Sequence, residues 1–211
     1  MIVGVASYKG GVGKTTTAVH LAEYLQQTEG ETVLLDGDTT RNATGWAARG
    51  AGFSFPVAPV EAAAKLARKY RHLVIDTGQK PNENDLLALA QYTDLLILPS
   101  IPSALDTDGL GQTIRALRTI RTPEGEPVKF KVLLTRVAPD SAKQVAELRE
   151  ILGNGHVPVF DAEIPRLKAF EKAAAAGVLV GEVDDERAER GWDAYEAVGR
   201  EALHAADGVR R

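Results

Sequence analysis

The sequence predicts an α/β protein with a doubly wound, mostly parallel sheet and helices on both faces. Three observations predict it. Short apolar runs alternate with amphipathic stretches almost throughout the 211 residues, the order that parallel strands joined by crossover helices require. The apolar runs are near-continuous, as in strands buried on both sides. A glycine-rich turn, Lys-Gly-Gly-Val-Gly-Lys-Thr at 9–15, joins the first of these runs to the first amphipathic stretch.

Taken in order, IVGVAS opens as a buried strand, and TTTAVHLAEYLQQT follows as a helix with Val19, Leu21, Ala22 and Leu25 on its apolar side. TVLLD is the second strand. TTRNATGWAARG is polar and then helical, FPVAPV holds a short strand between prolines, and VEAAAKLARKY reads as an amphipathic helix. HLVID is the next strand; Asn82 is placed to cap the helix NENDLLALAQY. DLLILPS is a strand stopped by Pro99, and LDTDGLGQTIRALRTIR a helix. VKFKVLLTRV, SAKQVAELREIL and HVPVFDAEIP complete a further strand, helix and strand, before the helices RLKAFEKAAAAG and DERAERGWDAYEAVGREALHAA. No stretch reads as a linker, so a single domain over 1–211 is expected.

Composition narrows the chemistry. Hydrophobic residues at 44% and charged residues at 26% suit a protein with a real core. The net charge of −4 means that any contact with DNA needs a local basic patch. The chain has no cysteine, which excludes disulfides, thiolate nucleophiles and cysteine-ligated metal clusters. The first apolar stretch is too short for a signal peptide or a membrane span, so the expected location is cytoplasmic. His20, His72, His156 and His204 are scattered without ligand spacing and read as structural.

Ligands of such sheets bind at the carboxyl ends of the strands, here SYKGGVGKT, DGDTT, DTGQK, PSIPS and TRVAP. The glycine turn suits phosphate. Gly10, Gly11 and Gly13 leave backbone N–H groups free to wrap anionic oxygens, and the following helix adds its positive end. Lys14 is placed to reach the β- and γ-phosphates, and Thr15 offers a hydroxyl to Mg²⁺. The general phosphate-loop motif requires a glycine where Tyr8 stands, so that motif fails by one residue and Lys9 fronts the turn instead.

This stretch resembles the deviant Walker A motif of the ParA/MinD family of P-loop ATPases, and most resembles short plasmid-type ParA proteins. The resemblance implies a P-loop NTPase fold, ATP and Mg²⁺ as cofactors, and hydrolysis of ATP. It assigns nucleotide contacts to Gly10, Gly11, Val12, Gly13, Lys14, Thr15 and Thr16, with Thr135 and Arg136 near the base. Lys9 becomes a lysine that crosses to the partner's phosphates in an ATP-dependent homodimer, delivering charge in trans as an arginine finger does. Asp36 and Asp38, two apart at a strand end, share a face if extended; the resemblance makes Asp38 the water-positioning residue with Asp36 in support. Asp76, ending HLVID, becomes the Walker B carboxylate near Mg²⁺. The implied metal set is therefore Thr15, Asp36, Asp38 and Asp76. Where the family has Pro-Gln after its aspartates, this chain has Thr39 and Thr40, a departure that bears on hydrolysis rate more than on binding.

ParA resemblance also implies DNA partition: nonspecific DNA binding by the ATP-bound dimer on the nucleoid, with hydrolysis stimulated by a small centromere-binding, ParB-like adaptor. A protein of this short ParA type is expected to lack an N-terminal helix-turn-helix extension. Two basic clusters are candidates for DNA: Arg115, Arg118 and Arg121 at helical spacing, and Arg166, Lys168 and Lys172 around a late helix. Solvated helix faces explain both equally well. Rival readings are a positioning ATPase for another cargo, a MinD-like membrane ATPase and a related synthetase. The last helix is too acidic for a lipid anchor, and no membrane contact is expected. Trp46, Trp192 and Tyr195 read as packing residues.

Overall fold

The computed structural model describes residues 1–78, 83–103 and 107–207. The strands are β1 (Ile2–Val5), β2 (Thr32–Gly37), β3 (Val57–Pro59), β4 (His72–Thr77), β5 (Leu95–Ser100), β6 (Phe130–Val137) and β7 (Val159–Pro165). They form one sheet in the order β3-β2-β4-β1-β5-β6-β7, and every pairing is parallel. The chain thus winds outward in both directions from the centre, which leaves a crevice beyond the carboxyl end of β1, where the direction changes.

The helices are α1 (Lys14–Thr28), α2 (Asn42–Arg49), α3 (Ala63–Leu66), α4 (Glu83–Tyr92), α5 (Thr107–Thr119), α6 (Ala142–Asn154), α7 (Lys168–Ala176) and α8 (Ala188–Asp207). On one face Leu21, Leu25, Trp46, Ala173, Tyr195 and Val198 from α1, α2, α7 and α8 close over Val5, Leu34, Val74 and Ile97. On the other, Leu86, Ile114, Leu117, Val145 and Leu148 from α4, α5 and α6 cover Leu96, Leu98, Val132 and Leu134. Both faces of the central strands are therefore buried, as the continuous apolar runs require. The cap proposed at Asn82 lies outside the described residues.

Two expectations are corrected. VEAAAKLARKY forms only a 3₁₀ turn at Val60–Ala62 and the single-turn α3, without a fully buried residue. Val60, Ala63 and Leu66 give too narrow an apolar stripe to hold a longer helix on the sheet. Pro99 does not stop β5 but pairs within it, opposite Leu133. Ile97 O, which has the same orientation along the strand as position 99, faces the β1 side and accepts Ala6 N–H. The β1 ladder has ended at Val5 opposite Ile97, so the missing proline N–H leaves no ladder bond broken.

One packing contact ties the far side of the crevice together. α2 and α7 meet where Gly50 lies against Gly177; a Cβ on Gly50 would stand 2.2 Å from Gly177 O. Beside it Trp46 Nε1 donates to Val178 O at 2.9 Å and Arg49 Nε to Ala174 O at 2.7 Å. Trp46 is thus a packing residue, as its sequence setting suggests.

Candidate functional site

At the crevice the chain leaves β1 and turns into α1 through residues 6–13. Gly11 and Gly13 hold φ of 74° and 88°, the left-handed region in which a side chain is strained. α1 has no side-chain cap at its start, so its first amides stay available to an anion. From behind, the end of β6 grips the turn. Thr135 Oγ1 donates to Val12 O at 2.7 Å, and Arg136 donates from its guanidinium to Gly11 O at 2.9 Å, itself at φ 52°. Both residues also line a cavity of about 340 Å³ with Gly11, Gly13, Lys14, Thr15, Thr16, Asp38, Asn42 and the segment 164–167. Thr135 and Arg136, expected near a base, therefore buttress the phosphate-type loop itself.

Lys14 is buried, and its Nζ donates to Lys9 O at 3.3 Å. Burial lowers its ammonium below the usual lysine range, while the Asp76 and Asp38 carboxylates oppose the shift. The Lys9 residue itself is exposed. Beside Lys9, a second hollow of about 280 Å³ is lined by Ser7, Tyr8, Pro99, Ser100 and the first turns of α5.

The three aspartates differ. Asp36 and Asp76 sit directly opposite each other on β2 and β4, both with no exposed surface. Asp36 is fully engaged: Oδ1 accepts Asp38 N–H at 3.1 Å, and Oδ2 accepts Thr44 N–H at 2.8 Å and Thr44 Oγ1 at 2.6 Å. Asp38 is clamped by its neighbours: Oδ1 accepts the N–H and hydroxyl of Thr40 at 2.9 and 2.8 Å, and Oδ2 accepts Asn42 Nδ2 at 2.9 Å. Burial pushes its carboxyl up, but these bonds and the charge of Lys14 more than offset it, leaving it below the usual range.

Neither Asp76 oxygen has a partner in good hydrogen-bond geometry, although the Thr15 hydroxyl lies near enough to draw the carboxyl down. Burial raises its carboxyl to about 7, with Asp36 adding to the shift and Thr15 and Lys14 opposing it. An orphaned, buried carboxylate facing Thr15 at the root of an anion cradle fits a hydrated divalent cation held partly by phosphate oxygens. Among the described residues no three carboxylate or histidine side chains gather into a metal cluster, so such an ion would need ligands from a nucleotide and water. Thr15 and Asp76 fit the expected metal set. Asp36 does not, because its lone pairs already anchor the start of α2.

The basic clusters fare unevenly. Arg118 donates to Gly155 O and His156 O, and Arg121 to Arg118 O and Ile120 O, so both guanidiniums cap carbonyls. Arg115 and Lys168 are exposed, and among the described residues neither makes such bonds. Lys172 is paired with Asp185 at 2.8 Å. Arg166 does not group with these lysines; it lines a groove with Arg149, Arg187 and Arg190. Arg187 and Arg190, three apart at the entry to α8, carried a spacing that could have flagged them. Asn42 and Thr44, which hold Asp38 and Asp36, carried no signal in the sequence, and Thr40, visible there as a departure after the aspartates, gave no sign that it would bond Asp38.

Residues 3–180 match the CobQ/CobB/MinD/ParA nucleotide binding domain, and the chain belongs to that family. It is 37% identical over 186 residues to Maintenance of carboxysome distribution protein A of Gloeobacter kilaueensis, covering 85% of this chain and 83% of that protein. Its fold is similar to apo McdA of Cyanothece, with a TM-score of 0.73 at 18% identity, covering 96% of this chain and 98% of the other. It is also similar to cobyrinic acid a,c-diamide synthase of Mycobacterium smegmatis, solved with an ATP analogue and magnesium, with a TM-score of 0.68 at 19% identity over 96% and 94% of the two chains. The P-loop NTPase fold and the ParA/MinD resemblance hold. Among the described residues no helix is long and apolar enough to cross a membrane.

Proposed function

We propose that the protein is a ParA/MinD-type ATPase that positions a cargo, with the carboxysome class of cargo favoured over plasmid DNA. The observation that carries the choice of cargo is the 37% identity, over most of both chains, to a protein named for carboxysome distribution. Plasmid partition, the first expectation from the ParA resemblance, becomes the second reading.

ATP is held by the loop 10–16. Lys14 sits among Asp38 and Asp76 and would meet the phosphates; Thr15 and Asp76 would hold Mg²⁺, which when bound supplies charge neutralisation of the phosphates. Asp38 lines the cavity, where it can orient a water once Thr40 or Asn42 lets go of one oxygen. Exposed Lys9 fronts the turn, from where it would reach a second subunit. Closure of such a dimer makes turnover depend on self-association, and an adaptor on the cargo would accelerate it. Nonspecific DNA provides the track in this reading, through exposed Arg115 and Lys168 among others.

The test combines binding and turnover. Lys14→Ala loses ATP affinity by a hundredfold or more, about 3 kcal/mol, in isothermal titration. Lys9→Ala keeps the affinity and loses turnover. Unchanged ATP affinity in the Lys14 variant contradicts the site; wild-type turnover in the Lys9 variant contradicts the role in trans. Cargo is tested by imaging fluorescently tagged carboxysomes, where present, in cells lacking this chain: clustering supports the reading and even spacing contradicts it.

A further inference from the structure

A groove of about 770 Å³ opens beside the nucleotide cavity, between the loop after β6, the start of α6 and the entry to α8. Its floor is apolar, with Val137, Pro139, Val145 and Leu167 among its lining. Arg166, Arg187 and Arg190 stand around it, all exposed. Among the described residues none of these three guanidiniums closes an ion pair or a side-chain hydrogen bond. Arg149, also on the wall, is already spent: it pairs with Glu163 at 2.9 Å and donates to Phe160 O and Asp161 O. Of the carboxylates lining the groove, Glu163 is taken by Arg149 and Asp193 remains, while Asp185, outside that lining and itself paired with Lys172, offsets part of the Arg187 charge. This local excess of positive charge runs against the chain's net charge of −4.

A concave apolar floor under a rim of arginines calls for a ligand with apolar anchors between carboxylates. A nucleic-acid backbone would satisfy the guanidiniums but leave the floor without a partner, because its contacts are to phosphate and sugar. A peptide segment satisfies both, with bidentate arginine–carboxylate bonds at the rim and aliphatic side chains below. We infer that this groove docks an acidic, leucine- or valine-bearing segment of a partner protein, the chemistry of the adaptor that the proposed function requires. Pro165, Arg166 and Leu167 line both this groove and the nucleotide cavity. The groove therefore shares a wall with the site that would change with ATP; only this coupling rests on the proposed function.

The test is selection of phage-displayed random 12-residue peptides on the full-length, nucleotide-free protein. Two variants serve as comparators: Arg187→Glu/Arg190→Glu, which reverses the rim, and Ala142→Trp, which fills the groove and keeps every charge. Circular dichroism and ATP titration check that both remain folded. Enriched peptides are expected to combine Asp or Glu with Leu, Ile or Val, and to bind each variant at least tenfold more weakly than wild type. Failure to enrich peptides that discriminate the variants overturns the inference, as do discriminating peptides without acidic residues. Loss of binding to a 30-base-pair random duplex, or of self-association, in both variants with no peptide discriminated also overturns it and gives the groove to DNA or to a second copy. Loss of ATP binding by the wild-type protein would sink the proposed function while leaving the peptide result interpretable.

Discussion

Asp36 and Asp76 face each other across neighbouring strands, share the same burial, and end the same kind of apolar run. One accepts three hydrogen bonds and the other none in good geometry. The difference separates structure from chemistry: Asp36 spends its charge fastening the β2–α2 connection, while Asp76 is left poised for something the protein itself does not supply. A buried carboxylate without partners is costly, and such a cost persists where function needs it.

That contrast is broken most directly at Asp36. Asp36→Ala leaves the buried Asp38 N–H and the two part-buried Thr44 donors without their acceptor and is expected to cost about 2 to 4 kcal/mol, read by urea unfolding; a loss under 1 kcal/mol would mean the anchor is dispensable. Asp76→Asn is expected to act in the opposite direction in metal-free buffer. With its carboxyl raised to about 7, Asp76 is protonated at low pH, and its stability contribution is lost as pH rises from about 4 through 7. At pH 8 the fold bears a cost of up to roughly 4 kcal/mol. The variant removes that cost, so its Tm exceeds wild type at pH 8 and the gap closes near pH 4. Equal Tm values across that range contradict the orphaned-carboxylate account.

His20, on α1 over the same face of the sheet, sharpens the comparison with the opposite sign. Its Nδ1 lies 2.7 Å from Thr16 O, Val180 N–H donates to its Nε2, and its ring stacks on Tyr195. Burial lowers its pKa to about 4, against a smaller opposing pull from Thr16. A depressed histidine contributes stability present above its unfolded value near 6.5 and lost as pH falls toward 4, roughly 3 kcal/mol in all. In wild type this loss and the Asp76 gain oppose each other over the same window. Asp76→Asn is therefore expected to expose a steep acid loss that wild type masks; parallel pH profiles would show the terms do not overlap. The smallest effect is at the clamp on Asp38: Thr40→Ala should cost about 1 kcal/mol and raise the Asp38 carboxyl, read by NMR titration.

The fold was legible because period and composition carried it: continuous apolar runs, amphipathic stretches and a glycine turn at the first crossover. What failed depended on neighbours. Pro99 sits within a strand because β1 has already ended beside it, and α3 shrinks because its apolar stripe is narrow. The turn itself was legible as an anion site, since left-handed glycines and a capless helix start follow from residue type. The roles of the two aspartates were not, because sequence shows a strand ending in acid and not which acid finds donors. Thr44, eight residues past Asp36, makes that difference, and nothing local announces it. The helical spacing of Arg115, Arg118 and Arg121 likewise gave no sign that two of them cap carbonyls.

The measurement closest to the centre is a Mn²⁺ titration, followed by electron paramagnetic resonance, of wild type and Asp76→Asn with ATP present. Wild type should take up the ion with ATP, and the variant should bind it at least tenfold more weakly while keeping its hold on ATP through Lys14. Equal metal affinity in the two proteins would contradict the assignment of the empty carboxylate to the metal shell.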